Sequence, residues 1–546
     1  MDAAILFEND GYRMDGPKLM GRQSAGNGFL RAAVAAHAGR PLWGFSPFSD
    51  AGAAFQQTVT EIDPNGQTRW IDRGDLRGLS ARGVAFRPDG DLGGLANLRL
   101  RAGPARFSIC GVTHTLSGPP LATFAGYPAL PLAPWDALIC TSRAARGVLE
   151  GVLEASEDLL SWRAGATVRP PRPQLPIIPL GVHTRDFDFT ADERAAARTA
   201  LGLAPDEVAV LFAGRISFHG KAHPFQMFQA LEAAAQTTGV KLALVLAGQA
   251  PTEAIKGAYD AGLAAFCPSV RAVYVDGKDF DLYRAAWAGA DIFTSLSDNI
   301  QETFGITPLE AMASGLPVVV SDWDGYRDTV RDGEDGFRIP TLAPAPGHLK
   351  HVALAYEAGA MNYDQLLYRT CAAVSMDYGV LLDRLTALVR DPDLRRRMGE
   401  TGRRRAREDY DWAVVYRRYQ ALWDELTAVR ERDYAERRDY WDRAPRATPG
   451  HREPFEAFAG FSTAALGPET LVAAAAGASP EAYAALEGQI LFNRLRVSAP
   501  IIEAMFARLA AGPASVAELQ AAAKLGTGLA VEVVARLVKM NLVRVV

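Results

Sequence analysis

Glu302-Thr303-Phe304-Gly305-Ile306-Thr307-Pro308-Leu309-Glu310-Ala311-Met312-Ala313-Ser314-Gly315, followed by Leu316-Pro317-Val318-Val319-Val320-Ser321, reads as a loop, a short helix and a buried strand. Gly305 lets the backbone turn and approach a ligand closely. Gly315 closes the helix at the position where a left-handed cap is favoured. The first-turn amides of such a helix point back at the loop, and with the helix dipole they form an anion site. Glu302 and Glu310, eight positions apart, would flank it. A diphosphate carrying a hydroxylated sugar on one side and a ribose on the other fits that arrangement.

A plainer reading stands beside this one. Thr307-Pro308-Leu309-Glu310 also fits a capping box with Pro at the first helical position, and Glu302 also fits a solvated loop acid. As a whole, however, the stretch resembles the Glu-x7-Glu signature of the retaining GT-B glycosyltransferases of family 4, the glycosyl transferases group 1 type.

Length and composition bound the remaining readings. At 546 residues the chain exceeds one ordinary core. With 49% hydrophobic and 22% charged residues it has the composition of a soluble globular protein. A net charge of -5 argues against nucleic acid as a partner. The four cysteines are widely spaced and read as reduced core residues. Met1-Asp2-Ala3-Ala4-Ile5-Leu6-Phe7-Glu8 is acidic and too short in apolar length for a signal peptide, and no run matches a membrane span. The expected location is cytoplasmic, with peripheral attachment to an inner membrane as an option.

Outward from the central stretch, strand and loop alternate. Ala3–Phe7 reads as a first buried strand, followed by a glycine-bearing segment with Gly26 and Gly28 ahead of an Ala-rich helix. Residues 52–103 show no usable periodicity. Phe107–Thr115 reads as a strand with His114 at its polar tip, where a histidine is ordinarily solvated or bonded to backbone. Pro176-Ile177-Ile178-Pro179-Leu180-Gly181-Val182-His183 is Pro-stiffened and resembles the family's hinge segment. After the strand Glu207–Gly214, Arg215 and Lys221 occupy a loop at the carboxyl edge of a parallel sheet, where open α/β sheets bind ligands. Their charges suit a diphosphate, Arg as a bidentate fork and Lys as a point charge. Further strands are read at Leu242–Gly248, Ala272–Gly277 and Asp291–Ser295. The triplets Arg395–Arg397 and Arg403–Arg405 read as a solvated helix face, with an anionic membrane or acidic partner as the alternative.

The resemblance covers roughly residues 3–430 and implies an α/β protein of GT-B fold, two Rossmann-like domains facing across a cleft. The expected divisions are an acceptor-side domain at 1–186, a nucleotide-sugar domain at 187–410 and a closing helix at 411–432. A linker and helical segment at 433–498 and a small winged-helix-like module at 499–546 complete the chain. The module's third helix offers only Arg536 and Lys539, too few for a DNA reader, so a protein partner or homo-oligomer fits it better.

The implied reaction is a hexosyl transfer with retention, from a nucleotide-diphosphate sugar to a glycan, lipid-linked or other hydroxyl acceptor, with no metal or cofactor. Polysaccharide biosynthesis is the expected setting. By the family's assignments Arg215 and Lys221 hold the diphosphate, assisted by the amides of Phe304, Gly305 and Ile306. Glu302 holds the donor sugar, His114 meets it from the opposite domain, and Glu310 holds the ribose. Gly26, Gly28 and the backbone near Val275 complete the donor site. Two other uses of this set are a GT-B phosphorylase or epimerase, and a nucleotide-sugar-sensing scaffold acting through the C-terminal module.

Overall fold

A computed structural model describes residues 2–13, 21–492 and 497–546. Met1, residues 14–20 and residues 493–496, the last within the expected linker and helical segment, lie outside the described residues. The chain divides into two compact units, 1–448 and 449–546.

The first unit is built on two six-stranded sheets, each wholly parallel. Strands β1 (Ala4–Leu6), β2 (Leu42–Phe45), β3 (Thr68–Ile71), β4 (Val84–Phe86), β5 (Ser108–Val112) and β6 (Ala137–Ile139) form one sheet in the order β3-β2-β1-β4-β5-β6. The other, in the order β12-β11-β10-β7-β8-β9, holds β7 (Val208–Ala213), β8 (Leu242–Ala247), β9 (Arg271–Val275), β10 (Ile292–Ser295), β11 (Val318–Ser321) and β12 (Gly336–Ile339). Both are the doubly wound order, which reverses direction between β1 and β4 and again between β7 and β10. The apolar runs that announce β7 and β8 are buried along their whole length, as strands covered by helices on both faces must be. Residues 52–103, unreadable in the sequence, hold β3 and β4 and three helices. Strands of four and three residues are too short to display an alternation.

The chain passes from the first sheet to the second between β6 and β7 and returns in the helix Trp412–Glu436. That helix buries Trp412, Tyr416, Tyr419 and Trp423 around Phe29 and Phe86 of the first sheet's layer. The two crossings are bonded to each other: the Val182 amide donates to Tyr410 O at 2.8 Å and the Trp412 amide to Val182 O at 3.1 Å. Thr184 Oγ1 adds a bond to Asp411 Oδ2 at 2.6 Å.

In this frame Gly26 and Gly28 need correcting. Both lie inside the helix Gly21–Ala36 rather than in a loop ahead of it. A Cβ on Gly28 would stand 2.3 Å from Trp412 Nε1, and one on Gly26 2.0 Å from Gly11 O. Close packing accounts for these two glycines, and it outweighs their poor helix propensity.

The arginine triplets are partly interior ties. Arg403 donates to Ser314 O at 2.8 Å, capping the C-terminal end of the helix Thr307–Ser314. Arg405 pairs with buried Asp335 at 3.0 Å. No helix among the described residues is long and apolar enough to cross a membrane, and all four cysteines are free and buried.

The second unit has its own core, with Val472, Ile502, Met505, Leu519, Val533, Val534 and Leu537 buried. Helices Ala499–Ala510, Val516–Ala523 and Thr527–Lys539 pack with a three-stranded antiparallel sheet. Leu471–Ala474 is the central strand of that sheet, between Ala514–Ser515 and Val543–Val545. By sequence this segment belongs to the linker and helical stretch, because alanines favour helix. Pairing on both edges overrides that weak preference.

Candidate functional site

Loops leaving β7 and β10 meet where the strand order of the second sheet reverses. The first carries Arg215 and Lys221; the second carries Glu302 and runs into the helix Thr307–Ser314. Lys221 Nζ donates to Glu302 Oε2 at 2.5 Å, with the two side chains only 14% and 18% exposed. Tyr326 OH lies 3.5 Å from the same ammonium and shares a 2.8 Å bond with Ser295 Oγ at the end of β10.

Burial works against the Lys221 charge, but the Glu302 carboxylate outweighs it and holds the ammonium's pKa above the ordinary lysine value. Burial also opposes ionisation of Glu302. The Lys221 charge, with the Phe304 and Thr303 amides, brings its pKa below the ordinary value all the same. Glu310 has no such partner: burial pushes it up to about 7, with Lys221 pulling only part of the way back. Two glutamates in one site therefore differ in charge near neutral pH. Burial, reinforced by the Glu302 charge, likewise lifts Asp324 to about 8.

Helix geometry removes the capping-box reading of Glu310. The helix begins at Thr307, flanked by Ile306, and no side chain caps it. Thr307 Oγ1 is buried without a hydrogen-bond partner, so the capping box does not form. The amides of Gly305 and Ile306 have no acceptor among the described residues, whereas the Phe304 amide is turned toward Glu302. Gly305 has φ +74°, and a Cβ there would come within 2.1 Å of the Tyr326 ring. Only glycine fits.

The other expected residues are more spread out. Arg215 folds back on its own loop, donating to Gly220 O at 2.8 Å. Val275 is buried at the end of β9, and its carbonyl accepts from the Gly248 amide at 2.9 Å. His114 stands two residues past β5 at the carboxyl edge of the first sheet. Its Nε2 donates to Pro88 O at 2.7 Å, which fixes the tautomer and leaves Nδ1 as an acceptor. Burial lowers its pKa below the ordinary histidine value. Across the cleft Ser142 Oγ donates to Thr303 O at 2.8 Å, and the Arg143 side chain pairs with Asp328 at 2.7 Å.

Sequence reasoning missed Tyr326, Ser295 and Asp324. Asp322-Trp323-Asp324 is an Asp-x-Asp at the end of β11, but its two acids are placed differently. Asp322 faces Arg338 at 3.3 Å, and Asp324 is held at φ +46°. The Asp-Gly step at 324–325 was the available signal of a tight turn there.

Residues 193–345 match the family described as Glycosyl transferases group 1. Over 178 residues, 31% of this chain and 37% of the relative, the chain is 33% identical to the D-inositol 3-phosphate glycosyltransferase of Geodermatophilus obscurus. Over 132 residues, 24% of this chain and 25% of the relative, it is 36% identical to the phosphatidyl-myo-inositol mannosyltransferase of Mycobacterium leprae. The chain thus spans well under half the length of these relatives. The crystal structure of a glycosyltransferase from Rickettsia africae ESF-5 superposes with a TM-score of 0.51 at 12% identity, covering 78% of this chain and 98% of that one. That likeness is one of fold. The group 1 segment contains Arg215, Lys221, Glu302 and Glu310, and the whole first unit has the GT-B fold.

Proposed function

We propose that this chain is a retaining glycosyltransferase that moves a sugar from a nucleotide-diphosphate sugar to a hydroxyl acceptor without a metal ion or cofactor. The observation that carries this reading is the Lys221–Glu302 pair at the strand-order reversal, beside the two unengaged amides of Gly305 and Ile306. An ammonium has three donors. One holds Glu302, a second is directed at Tyr326 OH, and the third is available to a phosphate oxygen of the donor. Arg215 on the same loop supplies the second cation. The charge that develops on the leaving diphosphate then meets Lys221 and the two amides, and Arg215 joins them by leaving its bond to Gly220 O. Glu302, kept ionised, accepts from hydroxyls of the donor sugar; Glu310 accepts from the ribose. His114 reaches the sugar from the first sheet, and the donor's own phosphate oxygen takes the acceptor proton. The inositol phosphates and lipids named in the relatives make phosphorylated polyols the first acceptors to try.

A thermal-shift panel of UDP-, GDP-, ADP- and dTDP-sugars tests the reading, with Arg215→Ala and Glu310→Ala as controls. A bound ligand raises native stability by mass action. One donor that shifts the parent, and neither variant to the same extent, supports the reading. A panel with no concentration-dependent shift refutes it.

A further inference from the structure

Between β12 and the helix Tyr378–Arg390 the chain inserts a hairpin of two helices, Lys350–Glu357 and Tyr363–Cys371. Two-residue antiparallel strands, Thr341–Leu342 and Ser375–Met376, clasp its base. Gln226 fixes that base to the second sheet's layer, donating to Met376 O at 2.9 Å and accepting from its amide at 2.8 Å. The second helix rests on the loop that carries Arg215 and Lys221. Cys371 Sγ lies 3.7 Å from Phe218 O, and the Tyr368 ring meets the Phe218 ring edge-on at 6.3 Å.

The first residue of that helix crosses the cleft. Tyr363 OH is 2.7 Å from Ser117 Oγ, three residues past His114, and donates to Gln301 Oε1 at 3.5 Å, one residue before Glu302. Ser117 follows β5 of the first sheet and Gln301 follows β10 of the second, so one hydroxyl has a partner on each side. The adjoining glycine is shaped to this contact. Gly118 has φ +73°, and a Cβ on it would come within 2.7 Å of the Tyr363 ring. The half-buried hydroxyl stays protonated, and so able to donate, because burial raises its pKa.

We propose that Tyr363 is a positioning residue for sugar transfer: it holds the His114–Gly118 loop in register with the Gln301–Glu302 loop, from a hairpin seated on the diphosphate loop. This rests on the glycosyl-transfer reading above. Tyr363 touches neither reacting atom. Its effect is on how accurately the two sheet edges close over the donor, so loss of the hydroxyl slows turnover while donor affinity holds.

The test is a double-mutant cycle on the full chain with Tyr363→Phe and Ser117→Ala. It uses whichever UDP-, GDP-, ADP- or dTDP-sugar stabilises the parent. Tyr363→Phe keeps the ring on Gly118 and removes only the hydroxyl. Donor Kd should stay within about twofold, while nucleotide release slows about three- to tenfold in each single variant, the effect of one neutral hydrogen bond. The double variant should be no slower than the worse single one, because both substitutions cut the same tie. Amide hydrogen exchange at residues 115–118 and 299–302 should quicken together in all three.

Unchanged release and exchange in Tyr363→Phe overturns the proposal, as does a full sum of the two single effects. A parallel loss of donor affinity and thermal stability would also overturn it, since that marks a merely structural contact. A parent that binds and turns over no nucleotide sugar overturns the glycosyl-transfer reading itself. Because that result is read on the parent alone, the two failures are distinguishable.

Discussion

Lys221→Met would retain an apolar stem of similar reach and remove the charge that keeps Glu302 ionised. Glu302 would then be a buried carboxyl without a cation, and burial would push its pKa up against the Phe304 and Thr303 amides alone. With that pKa raised above the ordinary glutamate value, the folded state binds a proton in the window between the two that the unfolded chain has lost. Stability therefore falls as pH rises through this window. The penalty is small at pH 5 and grows toward pH 8.5, at about 1.4 kcal/mol for each unit by which the pKa is raised. The parent behaves in the opposite sense. Its Glu302 has a lowered pKa, so the pair's stabilisation is present above the ordinary glutamate value and is lost only as pH falls below it. Denaturant unfolding of parent and Lys221→Met at pH 5 and pH 8.5, followed by tryptophan fluorescence, measures the difference. A loss that is equal at the two pH values would refute the reasoning, because Glu302 would then be solvated or otherwise paired.

With the ribose held by the Glu310 carboxylate as proposed, donor affinity in the parent should rise with pH through about 7, and Glu310→Gln should flatten that dependence, as titration calorimetry at several pH values would record. Gly305→Ala should abolish donor-induced thermal shifts, because a Cβ would strain a φ of +74° and press on the Tyr326 ring. Gly28→Ala should lower stability by about 1–3 kcal/mol through overpacking against Trp412. It should leave donor Kd unchanged, and a selective loss of donor binding would restore this glycine to the donor site.

The second sheet was largely legible because its signals are local. β7 and β8 are apolar runs of six residues, and the Glu302–Gly315 stretch carries loop, helix and cap within one reading frame. Arg215, Lys221 and Glu302 could be placed because each follows a strand, and strand ends define the sheet edge. What was hidden depends on partners distant in sequence. Gly28 is explained by Trp412, Gly118 by Tyr363, and the elevated pKa of Glu310 by a burial that no neighbouring residue announces. The hairpin at 341–376 was missed for a related reason. Its helices have eight and nine residues and bury only a few side chains, among them Val352, Leu367 and Cys371, so they offer little periodicity to read.

The paired crossings at Val182 and Tyr410–Trp412 have a mechanical consequence. One strand of chain joining two bodies would act as a swivel, free to turn in every direction. Two strands fastened side by side act as a door hinge and leave one soft rotation. Opening then becomes a swing about a fixed line, and each closure returns the two sheet edges to the same alignment. One residue added to or removed from either crossing would shift that line, misaligning the whole opposing edge while every side chain on it remained intact.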